Sequence, residues 1–129
     1  MDDDPPNSAA ATTPLGLLLC RDLFFTSKIA GTASALGLKM ESAGSAADAV
    51  ARISAKSYRC LFINLDEPGL DIAALLRDIP AEPRPTVIAF AAHVAESSID
   101  AARSAGCDQV LSRGMLSSTL PELLRRFVV

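Results

Sequence analysis

The chain has 129 residues, 50% of them hydrophobic, and a formal net charge of -3 from 12 Lys plus Arg against 15 Asp plus Glu. That length and apolar content suit one soluble domain with a proper core, while the acidic balance leaves no broad cationic surface to neutralise phosphates and argues against direct nucleic-acid binding. The N-terminus has neither a basic region nor an apolar core of signal-peptide length, and no stretch approaches the roughly 18 uninterrupted apolar residues of a spanning helix, so a cytoplasmic protein without membrane contact is expected.

Met1 to Pro14 (MDDDPPNSAAATTP) joins an acidic triplet, Pro-Pro and small polar residues. Such a segment buries too little apolar surface to offset the entropy of ordering, so residues 1–14 read as a disordered tail ahead of a folded unit over 15–129. Leu15 to Cys20 (LGLLLC) is a continuous apolar run, as in a strand buried on both faces of a parallel sheet. Phe25, Ile29, Ala33 and Leu36 then recur at helical spacing until Gly37. Leu38 to Ser42 alternates and reads as a strand nearer an edge. Ser45 and Asp48 resemble a capping box, followed by a helical stripe of Ala46, Ala49, Val50 and Ile53. Ser57 to Asn64 (SYRCLFIN) is the expected central strand.

Beyond Pro68-Gly69, Ile72, Leu75, Leu76 and Ile79 predict a helix that ends at Pro80, and a Pro-rich connector leads to a strand over Thr86–Ala91. Ser98 to Ala105 predicts a short helix, Asp108 to Ser112 a short strand, and Leu116 to Val129 a last helix in which Ser118 would cap and Pro121 would fall in the first turn. Five strands alternating with five helices imply an α/β fold: a doubly wound, five-stranded parallel sheet, of flavodoxin/CheY-like strand order 2-1-3-4-5. The three cysteines, Cys20, Cys60 and Cys107, are odd in number and lack metal-ligand spacing, so reduced, buried thiols are expected.

A site in such a sheet lies at the carboxyl ends of the strands. Those ends carry Arg21-Asp22, Asn64-Leu65-Asp66-Glu67, Ala91-Ala92-His93 and Ser112-Arg113-Gly114. In order and spacing this set resembles the receiver domain of two-component response regulators, the CheY-like fold. It has N-L-D-E-P-G for the family's D-x-x-M-P-G, A-A-H for its T-A, and A-G-C-D-Q-V-L-S-R-G for its G-A-D-x-Y-x-x-K-P. The resemblance covers about residues 15–129.

Carried over by position, the resemblance places the phosphoacceptor at Asn64, a neutral amide and neither an anionic nucleophile nor a good Mg²⁺ ligand. Of the paired acids after the first strand, Arg21 replaces one and Asp22 remains. The switch hydroxyl falls at Ala91, the switch aromatic at Val110 and the lysine at Arg113. The resemblance therefore implies a degenerate receiver, or pseudo-receiver: not an enzyme, without cofactor or metal, and acting through protein partners independently of aspartate phosphorylation. The face over 98–129, with Met115, Leu116 and Val128 expected to be available on it, is the expected partner surface, with a homodimer as one form.

Three other readings attach to particular residues. Asp22, Asp66 and Arg113 would make a residual acidic pocket for a small ligand or cation, against the plainer reading that Arg113 neutralises leftover acids. Cys20 followed by Thr26-Ser27 faintly resembles a thiolate phosphocarrier loop. However, Arg21 to Phe25 contains no glycine and two phenylalanines, which favours a core cysteine. His93 reads as a solvated loop residue rather than a catalyst.

Overall fold

Strands that are apolar at successive positions need cover on both faces. In the computed structural model, which describes residues 15–82, 84–92 and 96–127, five parallel strands form one sheet. They are β1 (Leu15–Leu19), β2 (Lys39–Ala43), β3 (Cys60–Asn64), β4 (Thr86–Ala91) and β5 (Gln109–Ser112), in the order β2-β1-β3-β4-β5. The helices are α1 (Leu23–Ala35), α2 (Ala46–Ala55), α3 (Ile72–Asp78), α4 (Glu96–Ala105) and α5 (Arg113–Phe127). The expected fold class is observed. The tail Met1 to Pro14, His93 and Val128 lie outside the described residues.

Because strand side chains alternate between faces, the sheet separates two cores. Leu17, Leu19, Leu61, Ile63, Val87 and Ala89 point to one face and pack with Ala49 and Ile53 of α2, Leu75 and Leu76 of α3, and Ala102 of α4. Leu18, Cys60, Phe62, Ile88 and Phe90 point to the other and pack with Phe25, Ile29 and Ala33 of α1 and Leu116, Leu120 and Leu124 of α5. The three cysteines are free and buried, as expected. Burial pushes the Cys60 thiol far up, and raises that of Cys107 to about 11.

Local signals explain most boundaries. Asp22 caps α1 by accepting from the Phe25 N–H (3.2 Å). Gly37, with φ of 76°, takes the left-handed conformation that ends α1, and the Leu38 N–H returns to the Ala33 carbonyl at 2.9 Å. Ser45 caps α2 through the Asp48 N–H (3.1 Å), while the Asp48 carboxylate accepts from the Gly44 N–H (2.9 Å), one residue before the cap.

The last helix departs from expectation. It starts at Arg113, directly after β5, because the Ser112 hydroxyl accepts from the Met115 N–H (3.1 Å) and so performs the capping assigned to Ser118. Ser118 instead donates to the Met115 carbonyl within the helix, and Pro121 sits inside the helix rather than in its first turn. Leu116, expected to be available on a partner face, is fully buried, because it lies on the same inward stripe as Leu120, Leu123 and Leu124.

At the β2 edge, Glu41 gathers the Tyr58 hydroxyl (2.6 Å), Lys56 Nζ (2.9 Å) and Arg52 Nη1 (3.4 Å). Among the described residues no helix is long and apolar enough to cross a membrane.

Candidate functional site

Parallel pairing of β1 with β3 and of β3 with β4 brings their carboxyl ends side by side. Asn64 ends β3 and is the one buried polar or charged residue among those described, 3% exposed. A buried amide must find partners for both its ends. Its Oδ1 accepts from the Asp66 N–H (3.0 Å), and its Nδ2 donates to Glu67 Oε2 (3.1 Å), with Cys20 Sγ 3.7 Å away. The same Glu67 oxygen accepts from the Arg21 N–H at 2.9 Å. One carboxylate thus ties the β3–α3 loop to the β1–α1 turn and covers the amide. Gly69, with φ of 73°, turns the chain out of this loop.

Of Asp22, Asp66 and Arg113, the first and last share an ion pair and Asp66 has a different partner. Arg113 Nη1 pairs with Asp22 Oδ2 at 3.1 Å, and its guanidinium lies 5.4 Å from the Phe25 ring centroid. Asp66 turns the other way and accepts from the Ala92 N–H at 2.8 Å. The physical reason is that the chain leaves the sheet after Asn64, so Asp66 swings toward the end of β4 rather than back over β1. In this pairing Arg113 Nε is buried without a hydrogen-bond partner. Since the two side chains are 31% and 34% exposed, Arg113→Ala is expected to cost about 1 kcal/mol rather than the several of a fully buried pair. Urea denaturation checks this.

Ala91 is buried at the end of β4 beside Ser112, and Val110 is half-buried against the α2–α4 layer. Cys20 is buried beneath the site, where its Sγ lies 3.8 Å from the Asp22 carbonyl. Among the described residues no three His, Cys, Asp or Glu side chains converge as they would to hold a metal ion. Glu67 stands among the strand-end residues expected from sequence, but its bridging role was not foreseen there. Its signal was its place three residues after Asn64, at the start of the Pro-Gly turn. Chemically, the arrangement is a carboxylate held by two N–H donors, one from the backbone of Arg21 and one from the neutral amide of Asn64.

The sequence matches no family model and no curated protein. Its fold is shared with solved receiver domains. A CheY-like response regulator receiver domain protein from Methanospirillum hungatei JF-1 superposes with a TM-score of 0.77 at 16% identity, over 89% of this chain and 93% of that one. The signal receiver domain of a response regulator from Bermanella marisrubri gives 0.78 at 16% identity, over 92% and 100%. The receiver domain of a sensor histidine kinase from Pseudomonas aeruginosa PAO1, with a magnesium ion coordinated in its active-site cleft, gives 0.76 at 20% identity, over 91% and 98%. At these identities the likeness is one of fold.

Proposed function

We propose that this receiver-type fold serves as a response-regulator-like signalling module, a pseudo-receiver that acts by contact with protein partners and independently of aspartate phosphorylation. The observation that carries the reading is Asn64. At the strand end where the receiver resemblance expects a phosphorylated aspartate, a buried amide is fully engaged by Glu67 and the Asp66 N–H. An amide so held offers no anionic oxygen to a phosphoryl donor.

Exposed apolar surface supports the contact reading. Leu23 and Phe24 are each 79% exposed and Met115 53%. All three lie in the first turns of α1 and α5, whose starts the Asp22–Arg113 pair joins. A groove of about 260 Å³ between β5 and α5 runs beside Met115. The partner surface therefore centres on these helix starts, with Met115 the member shared with the face expected from sequence.

The test is incubation with Mg²⁺ and acetyl phosphate followed by intact-mass measurement. No phosphoryl adduct is expected on the wild type, whose Asn64 offers no anionic oxygen to the donor. An acid-labile adduct on an aspartate of the wild type would overturn the reading, and one on Cys20 would favour the phosphocarrier.

A further inference from the structure

Two N–H donors converge on a single oxygen in the crevice between the ends of β1 and β3. Asn64 Nδ2 stands 3.1 Å from Glu67 Oε2, and the Arg21 backbone N stands 2.9 Å from the same atom. Neither donor is free to turn elsewhere. Asn64 is 3% exposed, and its other end is pinned by the Asp66 N–H, which fixes the amide with its NH₂ toward the crevice. The Arg21 N–H belongs to the turn between β1 and α1, whose path is set by the strand before it and the Asp22 cap after it. Paired donors aimed at one point are the construction of an oxyanion cradle, and here the occupant is the chain's own carboxylate.

The surrounding charges fit the same account. Asp22 is engaged by Arg113, and Asp66 by the Ala92 N–H, whereas the two donors of the cradle share Glu67 Oε2. Glu67 and Arg21 line a pocket of about 310 Å³ together with Gly44, Ser45, Pro68 and Gly69. With Glu67 in place, its carboxylate satisfies both donors. Withdrawing it leaves the Arg21 N–H and one N–H of the Asn64 amide without their acceptor, and removes a negative charge from the crevice; both changes favour an external anion.

We propose that the crevice is a latent oxyanion-binding site that Glu67 holds shut, and that it accepts a phosphate- or carboxylate-type oxyanion when the Glu67 side chain is removed or drawn away. A tethered carboxylate is present at an effective concentration that a dissolved anion does not match, so the wild type stays closed. The inference concerns this crevice alone and holds whether or not the partner reading is right.

The experiment is a titration of ¹⁵N-labelled protein with inorganic phosphate, and separately with acetate, followed by amide NMR. In Glu67→Ala the Arg21 backbone amide and the Asn64 side-chain NH₂ are expected to shift saturably, with phosphate binding at least about tenfold tighter than to the wild type. Phosphate tighter than acetate identifies a phosphate-type site, and the reverse a carboxylate-type one. In N64D/E67A, where an acceptor replaces the donor, the binding is expected to be lost. Equal titration of wild type and E67A, no saturable shift in E67A, or undiminished binding by N64D/E67A would each overturn the proposal. Hydrogen exchange of the wild type alone provides a check that needs no variant. The Arg21 amide must be protected, and free exchange there would show that Glu67 does not close the crevice.

Discussion

Phe90→Ala is expected to remove about 3–5 kcal/mol of folding stability, the largest loss of any substitution considered for this chain. Phe90 is fully buried at the middle of the α1/α5 core, and its ring meets that of Phe25 with centroids 5.1 Å apart and planes inclined at 40°. Truncation forfeits the transfer free energy of the ring, the aromatic contact and the packing around the void left behind. For a domain whose whole margin is of the order of 5–15 kcal/mol, the variant should lie close to its unfolding transition. The damage should also reach the site, because the Phe25 ring that rests on Phe90 carries the Arg113 guanidinium nearby. Urea denaturation at room temperature measures the loss. A shift below about 1.5 kcal/mol would mean that α1 closes onto the sheet and fills the space.

Glu41→Ala should be the next most costly change, at about 2–3 kcal/mol near neutral pH, because it strips several charge-assisted hydrogen bonds and leaves the Tyr58 hydroxyl without its acceptor. The Glu41 side chain is 16% exposed, so water compensates little. The Tyr58 hydroxyl, then Lys56, hold the Glu41 carboxyl below its ordinary value. A carboxyl depressed in the folded state contributes stability that is complete above the unfolded value of about 4.3 and disappears as pH falls through the folded one. The gap between wild type and E41A should therefore be full near neutrality and close in acid. At the other end of the scale, burial and then Glu41 push Tyr58 up to about 12. Its contribution is intact below about pH 10, the ordinary tyrosine value, and is lost as the pH rises to the folded value. Denaturant midpoints across both ranges test the assignment, and a pH-independent gap would contradict it.

Much of the architecture was legible because burial on both faces writes itself as an uninterrupted apolar run. Thr86–Ala91 was expected and found with the same limits, and Phe25, Ile29 and Ala33 are the buried stripe of α1. The start of α5 was not legible in the same way. Ser112 closes β5 and caps the helix at once, so no polar connector marks the change, and Ser118 offered a competing cap six residues on. Asn64, Asp22 and Arg113 could be placed at strand ends from the element count alone. The pairing of Arg113 with Asp22 instead of Asp66 follows from the direction in which the β3–α3 loop leaves the sheet, which spacing along the chain does not encode. Glu67 shows the same limit, for its partner in the β1–α1 turn lies 46 residues earlier and becomes a neighbour only once β1 and β3 pair.

The position of β2 has a bearing on how the molecule behaves at high concentration. It is an outermost strand, so one row of its backbone donors and acceptors faces away from the sheet, and another molecule's strand could add itself there to begin a fibre. Lys39 and Glu41 stand on that strand, the first exposed and the second bonded to Lys56 and Tyr58. An incoming strand would have to strip water from the ammonium group of one and crowd the ion cluster of the other, a penalty that exposed charges impose on sheet extension. The same carboxylate that steadies the fold thus helps keep the protein from polymerising along its open border.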